Sequence, residues 1–306
     1  MPPKKFVRVR KHMAERTIRD LRNAGLYDTN YTIARDGDYV LIPVTDDYSG
    51  EHVVMEAEPT NMRRSASGSF DTIGSIAIMK KYDEALANDI LLTHKKIRSV
   101  FFDEGVGGPE RIRKLRLVAG ENNTVTEYRE NGCSFTVDVA KAYFSPRLAT
   151  ERRRIVDQVS DGEFIFDMFA GVGPISIEIA RYRRVRIIAA DINCDAVEML
   201  KENMEKNPLR GIIEPFCEDA RIAAERVTGA DRVIMNHPTA SFEFIDYAVK
   251  TLREGGVINY YEFLDNSKVD KRISDLEMRS LIPLDVHPVH SYSKTISLYS
   301  MTLKKA

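Results

Sequence analysis

The chain has 306 residues, 43% of them hydrophobic, and carries 45 Lys+Arg against 46 Asp+Glu. That length allows two or three domains with a sizeable buried core, and the near-zero net charge excludes any argument for nucleic acid from overall charge, so such an argument has to rest on local clusters. No apolar run approaches the roughly 20 residues of a spanning helix, and the N-terminal MPPKKFVRVRKHMAERTIRDLR has no signal-peptide core, so a soluble cytoplasmic protein without a membrane partner is expected.

Residues 1–55 read as a small αβ domain. FVRVR alternates as a strand, Met13, Ile18, Leu21 and Leu26 take helical spacing, and YTIARDGDYVLIPV reads as a hairpin about Asp36-Gly37. The first 22 residues hold Lys4, Lys5, Arg8, Arg10, Lys11, Arg16, Arg19 and Arg22 against Glu15 and Asp20, which suits either a solvated helix face or an RNA-backbone contact. Residues 50–70 lose periodicity and gather Gly, Ser, Pro and Asn, as a linker does. A middle α+β domain, residues 65–148, follows: a strand in IGSIAIM, a helix in YDEALANDILLTH, a strand in SVFFDE, then hairpin-like strands after a Gly-rich stretch. Its basic residues are Lys95, Lys96, Arg98, Arg111, Arg113, Lys114 and Arg116.

From residue 149 to 306, strand and helix patterns alternate, the rhythm of a doubly wound parallel sheet. The terminal IPLDVHPVHSYSKTISLYSMTLK has two β-rich runs with no helix between them, so the last strand should return antiparallel. Cys133, Cys194 and Cys217 stand far apart with no Cys-x-x-Cys pair and read as three reduced thiols.

Within this segment FIFDMFAGVGPISIEIAR places Asp167 on a strand, then Gly171-Val172-Gly173, then Pro174 at the first helical position. Asp191 ends the next strand about 20 residues on, where a carboxylate reaches ribose hydroxyls, and Asp219 in CEDAR closes the third strand beside the expected adenine. NAD enzymes need a third glycine where Ser176 stands. An acidic residue before the glycines and an antiparallel final strand favour S-adenosylmethionine instead. The fourth strand, DRVIM, ends at Asn236-His237-Pro238, either an ordinary turn or a substrate-facing lip above the cofactor. An Asn amide there offers donor and acceptor to a base edge, and Pro stiffens the turn.

The runs RENGCSFTVDVAKAYFSPRLATERRRI, DMFAGVGPISIEIA, AADINCDAVEMLKEN and RVIMNHPTASFEFIDYA resemble successive motifs of the archaeal-eukaryotic tRNA (guanine-37-N1) methyltransferases. The resemblance runs from the small N-terminal domain almost to the C-terminus. It implies a Rossmann-like class I methyltransferase domain with an antiparallel last strand, preceded by two smaller α+β domains, acting on tRNA with S-adenosylmethionine, as a monomer. Carried over by motif, Glu151 in ATER is the implied general base for guanine N1, and Arg111 the implied stabiliser of charge on guanine O6. Tyr143, Phe144 and Arg147 in AYFSPRL are implied to line the base and cofactor pocket, and Asn236 and Pro238 match the Asn-x-Pro loop. With Asp167, Gly171, Gly173, Asp191 and Asp219, neighbouring Phe169 and Ala220 complete the expected cofactor set. No metal site is expected.

Guanine N1 lies on the Watson–Crick edge, so the base must leave its stack to react. The related family that transfers the aminocarboxypropyl group to a wyosine precursor shares most of these motifs, and His237 departs from the apolar residue expected between Asn and Pro, which leaves a tricyclic base open as substrate. A non-catalytic RNA-binding subunit is disfavoured by the intact glycine turn. The Asn/Asp-Pro-Pro-aromatic loop of exocyclic-amine methyltransferases is absent, since His237 and Thr239 occupy its positions.

Overall fold

The computed structural model describes residues 3–57, 70–108 and 110–306. The chain divides into two compact units, Met1–Gly68 and Ser69–Ala306. In the first, strands β1 (Pro3–Arg10), β2 (Ala34–Asp36), β3 (Tyr39–Pro43) and β4 (Val53–Glu56) form one sheet in the order β2-β3-β1-β4, with helix α1 (Ala14–Asn23) between β1 and β2. Val7, Leu21, Val40 and Ile42 make its core. The linker expected from residue 50 therefore begins later, because 53–56 pairs antiparallel with β1. All four β4 residues are exposed, so the segment carries no apolar alternation to announce a strand. The remainder of that expected linker, residues 58–69, lies outside the described residues.

The second unit opens with β5 (Phe70–Ile73), β6 (Ile76–Met79), α2 (Glu84–Thr93), β7 (Ser99–Gly107) and β8 (Ile112–Gly120), the strands forming a sheet in sequence order. A hairpin of β9 (Val125–Glu130) and β10 (Cys133–Asp138) leads to α3 (Ala149–Gln158). The alternating segment then runs β11 (Phe164–Asp167), α4 (Pro174–Tyr182), β12 (Arg186–Asp191), α5 (Cys194–Lys206), β13 (Ile212–Cys217), α6 (Ala220–Ala223), β14 (Ala230–Met235), α7 (Ile245–Thr251) and β15 (Leu252–Asp265). It closes with α8 (Val269–Glu277), β16 (Leu281–Ser291) and β17 (Ile296–Lys305).

Its seven strands lie in the order β13-β12-β11-β14-β15-β17-β16. Pairing is parallel from β13 to β15, and β17 runs antiparallel between β15 and β16, the Rossmann-like arrangement with the antiparallel last strand expected above. Period-two alternation sends Ile165, Ile187 and Ile234 to one face and Phe166, Ile188 and Val233 to the other. The first face shares one continuous core with Ile73, Ile76 and Phe101 of the β5–β8 sheet and Phe135 of β10. The domains expected over residues 65–148 and 149–306 share one apolar core, so that residues 69–306 form a single unit.

Cys194 and Cys217 form a disulfide, which corrects the reading of three separate reduced thiols; Cys133 is free and buried. The two positions are 23 apart in sequence, but β12 and β13 are parallel neighbours ending at the same edge, which brings their Cα atoms to 5.1 Å. Among the described residues no helix is long and apolar enough to cross a membrane, and no metal-binding cluster occurs.

Candidate active site

The carboxyl ends of β11, β12, β13 and β14 open onto a cavity of about 950 Å³ in the second unit. The sheet changes winding direction between β11 and β14, the position where open α/β sheets bind ligands. Three turns shape this end.

The first follows β11. Gly171 has φ of +55°, and a Cβ there would meet nothing within 4 Å, so its backbone faces open space. Its N–H donates to Asp191 Oδ2 at 2.7 Å, while Asp191 Oδ1 accepts from the Asn193 N–H at 2.9 Å. Gly173, at φ of +85°, precedes α4, and a Cβ there would lie 2.2 Å from Leu200 Cδ1. It is therefore a packing glycine rather than a cavity residue; Gly171 lines the cavity and Gly173 does not. Asp167 is also behind the wall. Fully buried, it accepts from Ser176 Oγ at 2.6 Å, its Oδ1 has no partner among the described residues, and burial pushes its pKa up to about 7.

The second turn carries Asp219, which accepts from the Arg221 N–H at 2.8 Å and pairs with the Arg221 guanidinium at 2.6 Å; that partnership holds its pKa below the usual carboxylate value. Asp219, Ala220, Asp191 and Phe169 all line the cavity, with Ile192 and Asn193 beside them. The disulfide joins the two segments that carry Asp191 and Asp219.

The third turn is Asn236-His237-Pro238, fixed on both sides. The His237 carbonyl accepts from Ala240 N–H and Ser241 N–H at 2.9 Å, Ser241 Oγ donates to the Met235 carbonyl, and the Pro238 carbonyl accepts from Phe263 N–H of β15. The Asn236 side-chain amide, half-buried on the cavity wall, has no partner among the described residues. The His237 ring packs 5.0 Å from Phe169, which in turn meets Phe244 edge-on at 5.0 Å.

Facing these turns are Arg111, Tyr143, Phe144 and Arg147. The Tyr143 ring, 37% exposed, has two guanidinium groups near its centroid, Arg111 at 4.8 Å and Arg113 at 4.7 Å. Arg113 is held by Asp103 at 2.8 Å, whereas no carboxylate among the described residues pairs with Arg111. Burial and the neighbouring Arg113 depress the Arg111 pKa, opposed by Tyr143, and its φ of +55° is a strained conformation for a residue with a side chain. Arg147 pairs with Asp71 at 2.6 Å and donates to His290 Nε2 at 3.1 Å.

Glu151 lies off the cavity wall. In the first turn of α3, it is buried, and its Oε1 accepts from Arg154 at 2.7 Å, Tyr261 at 2.8 Å and Ser300 at 2.8 Å. His287 Nε2 stands 3.5 Å from Oε2. Tyr261 and Ser300 are each two residues along their strands from the cavity-lining Phe263 and Leu298, so Glu151 sits one side-chain row beneath the wall. The cavity thus brings together Arg111, Tyr143, Phe144, Arg147, Phe169, Gly171, Asp191, Asp219, Ala220, Asn236 and Pro238, and leaves out Asp167, Gly173 and Glu151. His237, Phe244 and Arg113 are wall residues that the motif reading did not select as site residues; the departure at 237 was the available signal for the first.

Residues 126–282 match the family model described as the TRM5/TYW2 methyltransferase domain, and residues 7–52 match the tRNA methyltransferase 5 N-terminal domain. The chain is 40% identical to a tRNA (guanine(37)-N(1))-methyltransferase Trm5b of Pyrococcus abyssi, over 80% of each chain. It is 35% identical to the Trm5b of Methanocaldococcus jannaschii, over 83% of this chain and 85% of that one. Among solved structures it is similar to aTrm5 in complex with tRNALeu, with a TM-score of 0.76, 31% identity and full coverage of both chains.

Proposed function

Because the chain belongs to the TRM5/TYW2 methyltransferase family, we propose that it transfers a methyl group from S-adenosylmethionine to N1 of guanosine 37 in tRNA. The observation that carries the reading is a single cavity wall bearing both a nucleoside-type carboxylate and two free polar groups, the Arg111 guanidinium and the Asn236 amide.

The residues fit the methyl donor. Gly171 presents open backbone, Asp191 offers a half-buried carboxylate to ribose hydroxyls, and Phe169 with Ala220 gives an apolar slot for the adenine. Bound there, the donor supplies an electrophilic methyl group on a sulfonium. In-line displacement requires alignment first, and deprotonation where the acceptor carries a proton. Arg111, partly desolvated and without a carboxylate partner among the described residues, faces O6 and offsets the negative charge that builds on the guanine as N1 loses its proton. Asn236 reads the Watson–Crick edge, and Tyr143, exposed on the cavity wall, offers the flipped base an aromatic contact. Glu151, which the motif gives as the general base for N1, is held at Oε1 by Arg154, Tyr261 and Ser300, while its Oε2 meets His287 at 3.5 Å. The small N-terminal unit, with its basic residues, contacts the tRNA backbone.

The test is methylation of an unmodified G37 tRNA transcript with labelled donor, followed by mass analysis of the nucleoside. The expected product is 1-methylguanosine. An aminocarboxypropyl adduct, or no transfer to a G37 tRNA, would overturn the reading.

A further inference from the structure

Beneath the cavity wall, Tyr261 of β15, Ser300 of β17 and His287 of β16 are direct cross-strand neighbours, so their side chains form one row against α3. Glu151 meets this row with its two oxygens in different states. Oε1 accepts from Arg154, Tyr261 and Ser300, whereas Oε2 has no partner among the described residues nearer than His287 Nε2 at 3.5 Å. On the far side of the ring, His287 Nδ1 lies 2.9 Å from Asp285 Oδ2, which also accepts from Arg154 at 3.2 Å.

An ionised carboxylate has no proton to give, so at 2.9 Å the proton between Asp285 and the ring belongs to Nδ1. In the neutral ring Nε2 then turns its lone pair toward Glu151 Oε2, acceptor facing acceptor, and 3.5 Å is the spacing of a hydrogen bond that lacks its proton. We propose that His287, oriented by Asp285, is the relay that draws the guanine N1 proton off Glu151 and passes it to solvent. The proposal rests on the reading that guanine N1 is the methyl acceptor and Glu151 its general base. His287 acts only through Glu151, so it is a positioning residue for the proton rather than a contact to guanine or donor.

The relay meets a chemical need. Three hydrogen bonds hold the Glu151 pKa below the usual carboxylate value against the opposing effect of burial, which makes it a weak base toward N1–H, itself a far weaker acid than a carboxyl group. Its other partners cannot take the proton on: Arg154 is a permanent cation, and Tyr261 and Ser300 already donate to it. The step balances. As N1 bonds to the methyl carbon and the carbon–sulfur bond leaves its electron pair on sulfur, the N1–H proton passes to Glu151 Oε2 and on to His287 Nε2. The imidazolium then releases a proton from Nδ1 past the exposed Asp285, which restores the starting tautomer after the partly exposed ring exchanges with water. The charged groups around the ring are Glu151 and Arg154 of α3 and Asp285 of its own strand, and β17 presents the neutral Ser300.

The test uses the full chain. The His287 ring is titrated by NMR in the free protein, and kcat/KM for methylation of a G37 transcript is followed from about pH 5 to about pH 8 for native protein, His287→Gln and His287→Ala. The native profile should fall on the acid side with the midpoint that NMR finds for His287. Both variants should lose roughly 10-fold at neutral pH and run flat over that range, their limb displaced to the carboxylate region, while donor affinity and melting temperature stay native. Added imidazole should restore His287→Ala, in proportion to the basicity of the imidazole used, but not His287→Gln, whose side chain fills the space. Variants that keep the native rate and acid limb would overturn the proposal, as would a rate lowered equally at every pH together with the melting temperature, the mark of a structural role. A native protein that modifies no G37 tRNA would sink the guanine reading, and a Glu151→Gln profile parallel to the native one would remove the base and its relay together. Both outcomes are distinct from an active, Glu151-dependent enzyme with indifferent His287 variants.

Discussion

Four groups close around the Glu151 carboxylate, and their effect on stability has a sign. Burial alone would raise its pKa, but the hydrogen bonds from Arg154, Tyr261 and Ser300 outweigh it and hold the pKa below the usual carboxylate value. A carboxyl group depressed in the folded state adds stability above its unfolded pKa, and that stability is lost as pH falls through the folded one. Glu151→Gln should therefore cost roughly 1–3 kcal/mol at neutral pH and flatten the acid side of the stability curve, as read by denaturant unfolding at several pH values. If Glu151 takes the N1 proton, the variant's methylation rate should drop most at neutral pH, with the deficit shrinking where the native rate falls on the acid side; a drop by the same factor at every pH would make Glu151 a positioning residue instead. The identity of this residue and its place in a motif were legible in the sequence, whereas its direction was not. Tyr261 and Ser300, which turn it away from the cavity, stand 110 and 149 residues downstream, and no local pattern reports such partners. The Cys194–Cys217 pair was hidden for the same reason, since strand adjacency rather than spacing makes it.

The strand-to-helix turn between β11 and α4 divides its two glycines by task. Gly171 faces open space, and Gly173 lies against Leu200 of α5. Gly173→Ala would have to accept a positive φ and displace Leu200, so a loss of about 1–3 kcal/mol is expected, visible as a lowered melting temperature. Donor affinity should fall further than stability alone requires, because the same turn carries Gly171, and isothermal titration of the donor measures it. Both glycines and the strand ends were readable because turn chemistry is local. Less readable was the end of α7, where helical spacing in SFEFIDYAVKTLREGG continues to the glycines but the helix stops at Thr251. Leu252 already pairs with Ala230 of β14, and the irregularity in that pairing is absorbed between Ala230 and Arg232. Tertiary pairing overrides periodicity there, as it does at β4, whose four exposed residues are a strand only because β1 lies alongside.

At the scale of the molecule, the division after residue 68 separates two cores, whereas no comparable division falls near residue 148. Ile73, Phe101 and Phe135 belong to the same apolar cluster as Ile165, Ile187 and Ile234. A fragment spanning residues 69–306 should melt in one calorimetric transition, while a fragment of residues 149–306 should fail to fold, its circular dichroism lacking a cooperative unfolding step. Two transitions in the longer fragment would contradict the shared core. The expectation of three domains came from composition and connectivity, which record where the chain changes character but not which faces it buries together. The disulfide acts at this scale as well. It makes the stretch from Cys194 to Cys217 a covalent ring that contains the whole of α5 and β13. A ring has no ends, so a single break in its backbone leaves the Asp191 and Asp219 edges of the sheet still joined in one molecule.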